Sequence, residues 1–165
     1  MAQSELQRGI GSLDFSRLMF TRLLDATPEE HWFHIPIPDG NHAAWLAGHV
    51  AWEDDDCLKQ LQPERGSKLP ASWHATFATG SQPVGDADAY PAIDELRDQL
   101  NAQRDELKQF FQAAPDQIDA PIPKELHGFA KDRAALMHAI ACHEMIHVGH
   151  LTVVRKSLQL GPVFM

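Results

Sequence analysis

One stripe of residues constrains this chain more than any other feature. Between Lys131 and Leu158, the positions Leu136, Ile140, His143, His147, Leu151 and Val154 recur at steps of four, three, four, four and three. That is the period of one face of an α-helix. It is held over a span that strands, with their period of two, cannot reproduce. Gly161-Pro162 then stops the helix.

Three further segments carry the same period. The first runs from Ser4, as N-cap, to Ala26, with Leu6, Ile10, Leu13, Phe20 and Leu24 on its apolar side. Gly9 and Gly11 weaken its start. The second opens at Asn41, again a good N-cap, and continues to Leu61 through Trp45, Leu46, His49, Val50, Cys57 and Leu58. The acidic run Glu53-Asp54-Asp55-Asp56 sits inside it, and a solvated face is the expectation for its three aspartates. The third starts with Pro91 in its first turn and reaches Ala114 by way of Ile93, Leu96, Leu100, Leu107, Phe110 and Phe111. Between the second and third lies a Pro-, Gly- and Ser-rich connection, Gln62 to Tyr90, longer than most loops in compact domains. Trp73 and Phe77 are expected to pin it to the body. With no strand pattern, the expectation is an all-α, four-helix bundle with long crossover loops, forming a single domain over residues 1–165.

Composition narrows the function. A formal net charge of −9, from 14 basic and 23 acidic residues, leaves no basic footprint for phosphates, so nucleic acid is excluded as a partner. No run approaches ~20 apolar residues, which excludes a membrane span. The first residues carry no basic patch followed by an apolar run, so the cytoplasm is the default address. Two cysteines, Cys57 and Cys142, are too few for a disulfide framework and are read as small buried hydrophobes.

The unusual count is histidine, ten in 165 residues. His143 and His147 lie four apart in mid-stripe, so their imidazoles stack on one helix face and can converge on one ion. The segment matches H-E-x-x-H, with Glu144 between the pair. A zinc protease would use that Glu as general base and would need a third ligand further on. The segment after His147 has no Asp or Glu, and the longer pattern fails at His150 and Val153. Glu144 is also rotated about 100° from His143, away from the expected site. The third ligand should come from another helix, and His49, between Leu46 and Val50, is the best placed. Glu53, one turn on, is either a further ligand or an orienting group, or simply an exposed acid. His150 is a fallback ligand. His31, His34, His42, His74, His127 and His138 are read as having no part in the site.

At this point a family pattern emerges. The run Asn41-His42-Ala43-Ala44-Trp45-Leu46-Ala47-Gly48-His49-Val50-Ala51-Trp52 resembles the second-helix motif of the DinB-like superfamily (DinB/YfiT-like metalloenzymes). The run His143-Glu144-Met145-Ile146-His147-Val148-Gly149-His150, with Val153-Val154-Arg155-Lys156 and Leu160-Gly161-Pro162, resembles its last helix and tail. The resemblance implies a four-helix bundle with a long crossover, often a homodimer, and a metal triad that maps onto His49, His143 and His147. Trp45, Trp52 and Trp73 belong to an apolar supply that fits such a dimer face. Family members hold nickel, zinc and other divalent ions, and some transfer a low-molecular-weight thiol such as mycothiol, bacillithiol or glutathione.

Three neutral imidazoles suit Zn²⁺, Ni²⁺, Co²⁺ or Fe²⁺ and leave open positions, as catalytic sites do. The first expectation is therefore a metal-dependent enzyme transferring such a thiol to an electrophilic small-molecule substrate, with zinc or nickel as the cofactor. No residue-based nucleophile is evident. The alternatives are a non-catalytic metal-binding, stress-related dimer and a metal-dependent hydrolase. A cavity with polar anchors beside the metal favours an enzyme, and a filled, dry interior favours the binding protein.

Overall fold

Apolar residues recurring every three or four positions fold into five α-helices in the computed structural model, which describes residues 2–164. They are α1 (Ala2–Asp25), α2 (Ala43–Leu61), α3 (Ala71–Phe77), α4 (Ile93–Ala113) and α5 (Arg133–Ser157). The architecture is all-α. Among the described residues the only β pairing is an isolated bridge between Pro121 and Asp132.

Several element ends differ from the sequence expectation. Ser4 is not an N-cap, because α1 already runs from Ala2. His42, not Asn41, caps α2, its Nδ1 accepting from Trp45 N at 3.1 Å. An imidazole nitrogen does there what an Asn oxygen would. Pro91 precedes α4 instead of opening it, and Asp132 caps α5 by accepting from Ala135 N at 2.8 Å. The long connection is not a bare loop, since it contains α3. Trp73 and Phe77, the two residues expected to pin it, are the buried residues of that helix.

The four long helices pack in two parallel pairs. Along α1 and α5 the contacts advance together, Ser12 with His138, Ser16 with Glu144 and Thr27 with Arg155. Gly9 lies at this seam, where an added Cβ would stand 2.3 Å from the Met137 side chain. Along α2 and α4, Trp45 and Leu46 share a core cluster with Leu96 and Leu100, while Leu58 shares another with Leu107 and Phe111. Both clusters also draw on α1 and α5, Phe20 and Leu151 in the first, Leu13 and Leu136 in the second.

A polar layer separates the two clusters, and each long helix supplies one charge to it. Arg17 donates to Glu144 at 2.6 Å and to Asp54 at 3.0 Å. Arg104 donates to Asp54 at 2.8 and 3.1 Å and to Glu144 at 2.9 Å. Ser16 Oγ adds a bond to Glu144 at 2.5 Å. Two cations face two anions, and all four residues are buried. Burial raises the Glu144 carboxyl, but Arg17 and Arg104 outweigh it and hold it below the usual range. The layer works because its charges balance and its lone pairs are satisfied.

The acidic run on α2 is therefore no solvated face. Asp54 belongs to this layer. Asp55, also buried, accepts from Arg65 Nη1 at 2.8 Å, Ser67 Oγ at 2.5 Å and Lys68 N at 3.0 Å, tying down the chain after α2. Four consecutive helical residues point about 100° apart, so they cannot share one environment. The same rotation explains the cysteines. Cys57 is buried as expected, but Cys142 is exposed, one position off the α5 stripe.

Candidate metal centre

α2 and α5 carry the candidate site, and the polar layer sets their register. Asp54 and Glu144 are the immediate chain neighbours of Glu53 and His143. Pinning the two acids therefore fixes where the next side chains emerge. His49, Glu53, His143 and His147 each bring a donor atom into one group, all within 4.8 Å of one another.

Hydrogen bonds orient these rings. His49 Nδ1 lies 2.7 Å from the Phe77 carbonyl. A carbonyl only accepts, so Nδ1 carries the proton and Nε2 keeps its lone pair. That Nε2 faces the cluster, 3.4 Å from Glu53 Oε1. Trp45 stacks on the ring, centroids 4.5 Å apart and planes within 13°. His143 Nδ1 donates to Glu53 Oε2 at 2.5 Å, which turns its Nε2 toward His147 Nε2, 3.2 Å away. His147 Nδ1 points outward to His150 Nδ1 at 3.3 Å.

Burial tunes two of these rings as neutral bases. It holds His49 below its ordinary value against the opposing pull of Glu53. It pushes His147 down to about 2, helped by the neighbouring His49 and His143. His143 is raised instead, first by its hydrogen bond to Glu53.

This donor set fits a divalent transition ion. Ligands on one ion at bonds of about 2.1 Å stand about 3.0–3.4 Å apart in octahedral or tetrahedral sets, and the two Nε2 atoms of α5 are 3.2 Å apart. Three imidazoles and one carboxylate also suit zinc or nickel better than calcium or magnesium, which favour all-oxygen shells.

Each residue picked out from the sequence has a definite place. His49, His143 and His147 come together. Glu53, left open between ligand, orienting group and exposed acid, joins them and touches two imidazoles. His150 is exposed and stands behind His147, outside the group. Glu144 faces the polar layer, so it is no general base here. His138 meets Ser12, and His127 Nε2 meets the Ile122 carbonyl. His42 has more structural weight than a loop residue. It is buried among Phe33 and Tyr90, which brings it down to about 4. Sequence reasoning missed the Phe77 carbonyl altogether, because no side-chain pattern marks a backbone acceptor from a distant helix.

A cleft opens beside the cluster. It has a volume of about 150 Å³ and reaches Glu53 and His143 at one end, with Trp52, Leu136 and Ile140 among its walls. The interior next to the site is thus not filled.

The family model of the DinB superfamily matches residues 12–151, a span that takes in the whole histidine cluster. No curated protein matches the chain.

Proposed function

The chain belongs to the DinB superfamily, and from that premise we propose that His49, His143 and His147 hold one divalent transition metal, zinc or nickel, in an enzyme that transfers a low-molecular-weight thiol to an electrophilic small molecule. The observation that carries this reading is the convergence of three imidazoles from α2 and α5 beside an open cleft. In the same reading the four long helices are the family's four-helix bundle, with 62–92 as its crossover, in a cytoplasmic protein.

When bound, such an ion lowers the pKa of a thiol and stabilises the thiolate. The chain's own residues do the rest. Phe77 and Trp45 hold the His49 ring so that Nε2 faces inward. Glu53 holds His143 in the matching tautomer, and it is the carboxylate placed to take up a proton at the cluster. The cleft keeps the electrophile next to the histidines.

The family also motivates a homodimer. Trp45 and Trp73 offer no surface for it, being 5% and 2% exposed within one chain. Among the described residues of the parallel α1/α5 pair, Phe15 and Leu18 on α1, with Ile146 and Val153 on α5, are large apolar side chains left exposed, and they support that assembly.

The test is a rate measurement with and without metal, using glutathione, bacillithiol and mycothiol with a panel of electrophiles, beside spectra of the cobalt-substituted protein. Metal-dependent conjugation, lost on chelation and in His49→Ala, is expected. If no thiol perturbs the cobalt spectrum, thiol transfer is wrong, and a hydrolase or a non-catalytic metal-binding protein replaces it.

A further inference from the structure

The cleft beside the histidine cluster has a chemistry of its own. Glu53, Asp56, Cys57 and Gln60 recur along one face of α2, while Leu136, Ile140 and His143 line it from α5. Seven helical rises on each side make it about 10 Å long. One end is the Glu53–His143 pair at 2.5 Å. The other is Gln60, whose side-chain amide donates to Asp56 Oδ2 at 2.6 Å.

Its charged groups besides the His143 imidazole are three carboxylates, Glu53, Asp54 and Asp56, and the Thr79 hydroxyl lies among them. Among the described residues no Lys or Arg lines it. Asp54 is already satisfied by Arg17 and Arg104, and Glu53 by the imidazoles. Asp56 is different. Its nearest cation is Lys59 Nζ at 3.8 Å, on a side chain 50% exposed. Next to it, Gln60 Oε1 is buried and receives no hydrogen bond from any described residue. A buried acceptor without a donor is unfavourable, and a carboxylate beside it makes a cationic N–H donor the matching partner. The remaining walls, Thr79 apart, are apolar: Trp52, Leu126, Leu136 and Ile140, with Phe129 at 68% exposure. A cavity of about 150 Å³ is of the size that holds one benzene ring.

We propose that this cleft binds a small apolar amine, a single ring or short chain carrying an ammonium group. The ammonium is held by the Asp56 carboxylate, with Gln60 turning its carbonyl out to meet it, and the apolar body lies between Trp52, Leu136 and Ile140. The proposal rests on the metal-centre reading for one point only, that the ligand's far end is the reacting one. It also assigns the cleft to the electrophile. A thiol bearing free carboxylates would find no cation there.

The experiment titrates the zinc-loaded full chain with phenethylamine, 2-phenylethanol and 3-phenylpropionate, following the Gln60 side-chain amide by NMR. Phenethylamine should bind at least about tenfold more tightly than the carboxylate. Asp56→Asn should remove about tenfold of the amine's affinity and leave that of the alcohol unchanged. Equal affinity for amine and acid, no response to any of the three, or amine binding indifferent to Asp56→Asn overturns the proposal. The three-ligand comparison on the unaltered chain needs no variant to fold. Repeating it on chelated protein, with metal content measured in each sample, separates the two readings. Amine selectivity that persists in a chain unable to hold metal keeps the cleft and rejects the metal centre. Stoichiometric metal without selectivity does the reverse.

Discussion

At the scale of single residues, the candidate site depends on aimed imidazoles, two of them kept neutral by burial. His147 is buried beside His49 and His143 and brought down to about 2, so at neutral pH it is a base with a free lone pair. His147→Ala should abolish stoichiometric metal binding, read by metal analysis. It should leave the helical circular dichroism intact, because Leu136, Leu151 and Val154 still fill the core side of α5. Full occupancy in that variant would remove His147 from the site. A second residue-scale expectation concerns acid stability and does not involve the histidine cluster. The Arg65 hydrogen bond, chiefly, holds Glu106 down to about 2 from an ordinary 4.5. The folded value lies below the unfolded one, so this contribution is complete above about pH 4.5 and disappears as the pH falls toward 2. Glu106→Gln should therefore lower urea midpoints at neutral pH and flatten their decline across that window. An unchanged slope would mean that the Arg65 bond persists in the unfolded chain or carries no weight.

At the scale of elements, the informative contact is α2 against α3. An added Cβ on Gly48 would lie 2.3 Å from the Phe77 ring, far inside van der Waals contact. Gly48 is what lets this short helix sit close enough for the Phe77 carbonyl to receive the His49 proton at 2.7 Å. Gly48→Ala should cost about 1–3 kcal/mol by overpacking and weaken metal binding as well, since His49 loses its orienting partner. Denaturant unfolding and metal titration of the one variant check both halves. Loss of stability with undiminished metal affinity would show that α3 supports the fold and not the ligand.

For the molecule as a whole, the polar layer couples all four long helices. Arg104→Met would leave Asp54 and Glu144 sharing Arg17 alone, two buried carboxylates against one cation. Removing one partner of such a network costs about 3–5 kcal/mol, and the midpoint of unfolding should fall accordingly. A loss under about 1 kcal/mol would mean that the layer relaxes or hydrates. Assembly is tested at the same scale. A mass in solution twice that of the chain at micromolar concentration is expected, and a Phe15→Glu, Ile146→Glu double variant should return it to the monomer.

What the sequence determined by itself was the part encoded in local period. Steps of three and four made the chain helical, and they placed His143 and His147 on one face. An apolar setting for His49 made it the third member, and the structure brings these three together. Local period cannot say how one helix is rotated against another. It set Glu53 apart, one turn on from His49, without deciding whether that acid joins the histidines, and it gave no reason to separate Asp54, in the buried layer, or Asp55, on Arg65, from Asp56. It read all three aspartates of that run as exposed, and two are buried. The Phe77 carbonyl, the salt-bridged role of Glu144 and the cleft between α2 and α5 arise from contacts between residues up to 128 positions apart. Only tertiary structure decides those, because desolvation makes a charge choose its partner from whatever the packed helices bring within about 3 Å.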